Sequence, residues 1–410
     1  MRRVASAPRP QWERRVERQG VVYHHWRDGT ELRQYWDESA CYLLDPAEAD
    51  VLRAATDALH RMCLTAVDHV VREGRLGEFG LGPDDPVTGA VARSWQQGEP
   101  SLYGRFDLVY DGSGPPKMLE YNADTPTCLL EAAVASAQWA AEAHPGAAQS
   151  NAVHDHLVAA WAVLRARLAP GQARPVLHVL HSGGDRYGED YFTAVYLQDT
   201  ARQAGWDALG VRVEDVVWDG AVFRDAHGQP LRHVFKLYPW EWLLAEDPGG
   251  ALLTSLATTS WVEPLWKLVL GSKAVLPVLW ELFPDSPYLL PSYADGPRGM
   301  AAYATKPVLG REGSNVTLVR PEGVVATDGP YGADPTVWQQ LAELPQVAPG
   351  RYVVVGSWVA GHVACGLTFR ESATPITDER QVFVPHLVVP EDASTPLRAD
   401  PAPRTPDQET

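Results

Sequence analysis

The sequence predicts an α/β protein with mixed sheets, and three observations carry that prediction. Short runs that alternate apolar and polar residues are separated by turn signals, as in half-buried strands. Between them lie stretches with apolar residues at helical spacing. One segment, 176–213, reads as a strand, a Gly-rich turn, a helix and a second strand, the order that produces parallel pairing.

Taken in chain order, residues 47–73 read as one amphipathic helix, and residues 128–143 and 154–168 as two more. "GRFDLVY" (104–110) and "LEYNADTPT" (119–127) each alternate, with the turn signal "DGSGPP" between them, so an antiparallel hairpin is predicted. Its polar face would gather Arg105, Asp107, Glu120, Asn122 and Asp124. Residues 234–240 read as a strand, and 263–283 as a strand followed by a helix, with Lys273 at a strand start. Two β-rich runs flank "TKPVLGREGSNV" (305–316), and 351–372 is a further hairpin. From residue 391 the chain is polar and Pro-rich, so a disordered tail is expected over 391–410 after one unit spanning 10–390.

Composition narrows the function. With 410 residues, 45% of them hydrophobic, the chain can bury a large core. A net charge of −17 without a basic run argues against nucleic-acid binding. The four cysteines are scattered, with no CxxC pair, which points away from a disulfide framework or zinc site and towards a reducing cytoplasm. No run approaches the ~20 apolar residues of a membrane span. The 13 histidines form no HExxH, and no GxSxG nucleophile elbow occurs.

Four oxygen-bearing side chains and one arginine on a strand face suit a hard cation with a phosphate, although a charged solvated edge explains the pattern equally well. The glycines of 305–316 would let backbone amides close over phosphate oxygens with Lys306 as a point charge. On spacing alone a plain hairpin turn is the simpler explanation. Glu189 and Asp190 open a helix, where acidic residues are favourable, and alternatively grip a cationic amine. Lys236 is expected to be structural. The tryptophans of "YPWEWLL" and "VEPLWKLVL" are expected in the core, a sugar-stacking platform being the alternative.

Together these segments resemble the synthetase domain of the glutathionylspermidine synthase family. The resemblance lies in "GRFD" at 104–107, "LEYNADTPT" at 119–127, "KLYPWEWL" at 236–243 and "EPLWKLVLGSKAVLPVLWELFP" at 263–284. "KPVLGREGSN" at 306–315 and "FRES" at 369–372 follow in family order, and "KLYPWEWL" looks like the stand-alone acid–amine ligases without an amidase domain. The resemblance implies an ATP-grasp-type fold and an ATP- and magnesium-dependent ligase joining a carboxylate to an amine through an acyl phosphate. It implies Asp107, Glu120 and Asn122 as magnesium ligands and Arg105 and Arg370 at the transferring phosphoryl group. Lys273, Lys306, Gly310, Arg311, Gly313, Ser314, Asn315, Gln339 and Gln340 would hold the nucleotide, and Thr125 the acid. Asp124 would order the loop. Glutathione-like and polyamine-like substrates are expected, with a non-catalytic nucleotide-binding module or a glycoside hydrolase as rivals.

Overall fold

The computed structural model describes residues 1–185, 187–247 and 250–390, so the expected tail at 391–410 lies outside the described residues. Helix Pro46–Arg72 starts where the sequence supplies a capping box: Asp45 accepts from the Glu48 amide and the Glu48 side chain accepts from the Asp45 amide, with Pro46 at the first helical position. Its buried stripe, Leu52, Leu59, Cys63, Ala66 and Val70, follows the helical repeat. That stripe packs on one face of a six-stranded antiparallel sheet, beside Phe106, Leu108, Val353 and Val355. The other face carries Trp358 and packs against Leu157 and Trp161 of helix Val153–Leu168.

The sheet runs Val382–Val384, Val363–Ser372, Arg351–Ala360, Tyr103–Val109, Lys117–Asn122, with Gln346–Ala348 added on Arg351–Ala360. The predicted hairpin is present in it. Arg105 pairs with Asn122 and Asp107 with Glu120, and a register shift follows Asp107. Period-2 alternation puts Phe106 and Tyr121 on the core face, where their rings stack 3.8 Å apart.

A four-stranded parallel sheet, ordered Ser260–Val262, His233–Leu237, Val176–His181, Asp207–Arg212, contains the predicted strand–helix–strand unit, crossed by helix Glu189–Gln203. A five-stranded antiparallel sheet, ordered Ser292–Tyr293, Thr336–Gln340, Tyr303–Pro307, Thr317–Arg320, Gly323–Ala326, stands over the hairpin. This is the mixed α/β architecture expected. Among the described residues no helix is long and apolar enough to cross a membrane, and all four cysteines are free and buried.

Two elements differ from expectation. Residues 263–283 contain no strand: Lys267–Gly271 and Val275–Leu282 are helices, and Lys273 lies between them with its amide bonded to the Val308 carbonyl at 2.8 Å. The run is so continuously apolar that its period does not show, and Pro277 is tolerated because it falls in a first helical turn. The helix expected over 128–143 is interrupted by a wide π turn at Glu131–Ala135 before continuing as Ser136–Ala143.

Candidate active site

The polar face of the hairpin, the Lys306 strand and the Gly310–Asn315 loop enclose a cavity of about 480 Å³. Two buried ion pairs set its frame. Lys267 lies 3.2 Å from Glu263, both fully buried. Glu263 accepts from the amides of Leu102 and Tyr103 at 2.9 Å, and Lys267 donates to the carbonyls of Tyr103 and Ala123 at 3.1 and 2.8 Å. Together they tie the start of one site strand to the end of the other. The second pair joins Lys236 to Asp124, whose other oxygen accepts from the Trp240 amide at 2.9 Å. Lys236 is thus structural, and Asp124 orders the 124–127 loop instead of facing the cavity.

On the hairpin face, Arg105 Nε donates to Asp107 Oδ1 at 2.9 Å and its Nη1 to the Thr127 carbonyl at 2.8 Å. The guanidinium lies over the Trp358 ring, 5.7 Å from its centre. Gly356 leaves the room: a Cβ there would sit 2.3 Å from Thr368 Oγ1 and 3.2 Å from Arg105 Cδ. Arg370 Nη2 is 2.6 Å from the same Asp107 oxygen. Though burial opposes ionisation, these two guanidiniums hold the Asp107 carboxyl well below the usual range.

Asn122 Nδ2 stands 3.3 Å from Asp107 Oδ2 and 3.2 Å from Glu120 Oε1, so the three side chains meet at one point. Lys273 Nζ lies 3.0 Å from Glu120 Oε2 and donates to the Gly310 carbonyl at 2.6 Å. Lys306 is buried and donates to Gln339 Oε1 at 2.7 Å and the Leu119 carbonyl at 3.1 Å. Burial, outweighing the attraction of Glu120, lowers its pKa to about 8.

The donor chemistry fits magnesium. Two carboxylates are a hard-oxygen set that leaves room for substrate phosphates, and Asn122, which turns its amide nitrogen to both of them, would add its oxygen on rotating the amide. Among the described residues no cluster of three His, Cys, Asp or Glu competes for a metal. The surrounding cations suit the phosphates: Arg370 Nε and Arg311 Nε are buried without a hydrogen-bond partner among the described residues, an arrangement that an anion would satisfy.

The loop over this cluster is held by Arg311, which pairs with Glu241, reaches Thr125 Oγ1 at 3.3 Å and lies over the Trp242 ring. Gly313 has φ +67°, and a Cβ there would come within 2.4 Å of the Thr377 carbonyl, so only glycine seats the loop this closely. Gly310, Ser314, Gln339 and Gln340 also line the cavity, Gln340 at its exposed rim. Asn315 does not: it accepts from the Tyr331 amide at 2.8 Å and serves the loop's own turn.

Glu189 and Asp190 line the far end of the same cavity with Tyr23, Trp26, Tyr35 and Tyr187. Burial, then neighbouring carboxylates, raise both pKa values, that of Asp190 to about 7. Sequence reasoning missed Glu241, Gln381 (which accepts from Arg370 at 2.9 Å), Glu263 and Lys267. It also put Trp242 in the core beside Trp240 and Trp266, whereas Trp242 is 42% exposed under Arg311. The alternate spacing of "WEW" on a helix was the available signal.

Comparison with known proteins agrees with this geometry. The model of the family described as glutathionylspermidine synthase preATP-grasp matches residues 3–389. A Haemophilus influenzae protein provisionally named acid–amine ligase is 36% identical over 407 residues, covering 95% of this chain and 100% of its own. The bifunctional glutathionylspermidine synthetase/amidase of Escherichia coli is 28% identical over 378 residues, 85% of this chain and 59% of its own length. Trypanothione synthetase of Crithidia fasciculata is 29% identical over 352 residues, 78% of this chain and 52% of its own. The chain therefore spans little more than half of these two relatives. The fold resembles that of a glutathione synthetase-like effector from Globodera pallida, with a TM-score of 0.56 at 9% identity over 92% of this chain and 96% of that one. The chain belongs to the glutathionylspermidine synthase preATP-grasp family and is an enzyme that forms carbon–nitrogen bonds.

Proposed function

We propose that the chain uses ATP and magnesium to join a small acid or peptide, glutathione-like, to a polyamine-like amine through an acyl phosphate. The observation that carries this reading is the convergence of Asp107, Glu120 and Asn122 beneath Arg105, Lys273, Lys306 and Arg370 in one cavity. A carboxylate is a poor acyl donor until phosphorylated, and its attack on a γ-phosphate brings two anions together. Asp107, Glu120 and Asn122 would hold magnesium, which when bound spreads the charge of the phosphate oxygens. Arg105 and Arg370 flank the transferring group and offset the repulsion. Lys273 and Lys306 anchor the phosphates, and Gln339 orients Lys306. The Gly310–Ser314 segment lies over the site and keeps water from the acyl phosphate. Thr125 stands where the acid would enter, next to Arg311. The amine's positive charge is met by Glu189 and Asp190 at the far end. No protein nucleophile is required.

A glycoside hydrolase needs one carboxyl kept protonated beside a second. Asp107 and Glu120 are instead both held ionised by cations, so this pair does not supply that acid. Calorimetric titration of a non-hydrolysable ATP analogue tests the reading. Binding that requires magnesium and is weakened in Glu120→Gln supports it and leads to an ADP-release screen of acids against amines. No binding under any condition overturns it.

A further inference from the structure

The run "WEW" at 240–242 turns its three side chains to different sides of a short helix, and the first of them alone is spent on the core. Trp240 is fully buried. Its amide donates to Asp124 Oδ2 at 2.9 Å and its indole to the Glu263 carbonyl at 3.1 Å. Helix Trp240–Ala245 is thereby fixed to both of the ion pairs that frame the site. Its far end is braced by Tyr238, which packs edge-on to Trp242 with ring centres 5.4 Å apart and donates to Glu246 Oε1 at 2.6 Å. Glu241 and Trp242 project from a rigid support.

The glycine loop, by contrast, has to be held from outside. Its backbone is left-handed at Glu312 (φ 52°) and Asn315 (φ 55°), a conformation unfavourable for residues with a Cβ. Such geometry persists where the surroundings impose it. At the two ends, Lys273 donates to the Gly310 carbonyl at 2.6 Å and Asn315 accepts from the Tyr331 amide at 2.8 Å. Between them Arg311 reaches out of the loop. It pairs with Glu241, its Nη1 donates to Thr125 Oγ1 at 3.3 Å, and its guanidinium lies 5.5 Å from the centre of the Trp242 ring. The Glu241 side chain is 19% exposed and that of Arg311 32%, so water screens the pair less than it would on an open surface. One side chain thus ties the loop to positions 70 and 186 residues away in sequence.

We propose that Glu241 is a positioning residue of the amide-forming reaction, an inference that rests on the ligase reading above. Glu241 holds Arg311, with Trp242 as the platform under the guanidinium, and so keeps the glycine loop seated while the acyl phosphate waits for the amine. It acts through Arg311, which lines the cavity. Without that hold, water takes the place of the amine. The water oxygen bonds to the acyl carbon and the bond from that carbon to the phosphate oxygen breaks. One water proton ends on phosphate and the other in solvent, so ATP is consumed and the acid is returned unchanged.

Two measurements on the full chain test this. Hydrogen exchange needs no ligand: the amides of 310–314 should exchange about tenfold faster in Glu241→Gln than in the parent, with strand Tyr103–Val109 unchanged. Glu241→Asp, which keeps the charge, should recover part of the protection. Equal exchange in the parent and Glu241→Gln overturns the proposal. The second measurement follows ADP and amide together, with ATP, magnesium, glutathione and spermidine. The parent should release about one ADP per amide and Glu241→Gln about two or more, with KM for ATP within about twofold of the parent. A variant that was merely less stable would lose both products in proportion. The same ratio in both proteins overturns the positioning role and leaves the ligase reading standing. ADP without amide from the parent itself, or no ADP at all, overturns the ligase reading and the positioning role with it.

Discussion

Arg370 Nη2 lies 2.6 Å from Asp107 Oδ1, and both side chains are buried. A carboxylate proposed to hold magnesium is thus held by guanidinium, together with Arg105 on the same oxygen. The arrangement keeps the buried charges compensated, and it sets a second cation beside the side chains that would hold the metal. Removing a preorganised cation aimed at a transferring phosphoryl group costs catalysis more than ground-state binding. Arg370→Ala should therefore lower turnover by about 10²–10³-fold, with a much smaller loss of nucleotide affinity, as read by ADP release and calorimetry on the same preparation.

Lys306 has a different task, because its ammonium is buried and committed to Gln339 and the Leu119 carbonyl. A charged hydrogen bond of this kind contributes about 1.5–3 kcal/mol. Lys306→Met should weaken binding of the ATP analogue by roughly 10–100-fold, more than Glu120→Gln does. Unchanged affinity in Lys306→Met would place the nucleotide elsewhere.

The Asp124–Lys236 pair is predicted to matter for folding. Both groups are buried, and Asp124 also accepts from the Trp240 amide. Taking away one partner leaves an uncompensated charge in the interior, at a cost of about 3–5 kcal/mol. Lys236→Met should show that loss in denaturant unfolding. Adding Asp124→Asn should recover part of it, since the stranded charge is then removed.

Acid stability follows from two buried histidines. Burial lowers the pKa of His60 to about 3 and of His386 to about 4. For a base depressed on folding, the stabilising contribution is present above the unfolded pKa near 6.5 and lost as pH falls toward the folded value. Each should cost roughly 3 kcal/mol by pH 4.5. The unfolding midpoint should fall steeply between pH 6.5 and 4.5, and a flat profile over that range would contradict the buried neutral rings.

Much of the site was legible because strand alternation is a local rule. Once 104–110 and 119–127 are paired through a tight turn, Arg105, Asp107, Glu120 and Asn122 must share a face, and the register confirms it. The same rule failed at 263–283, where continuous apolar residues hide whether the repeat is 2 or 3.6, so Lys273 was given the wrong element. The family resemblance implies Asn315 at the nucleotide, and here its side chain accepts from the Tyr331 amide.

By itself the sequence determined the mixed α/β class, the helix boundaries signalled by caps and periodicity, and the grouping of carboxylates and amide on one hairpin face, because each follows from residues close along the chain. Only the tertiary structure decided which distant charges meet. Arg311 with Glu241, Arg370 with Asp107, and Lys267 with the strands it ties depend on how sheets and loops stack. Whether a charge is exposed, paired or left without a partner is set by that stacking, and it is burial that turns such pairings into chemistry.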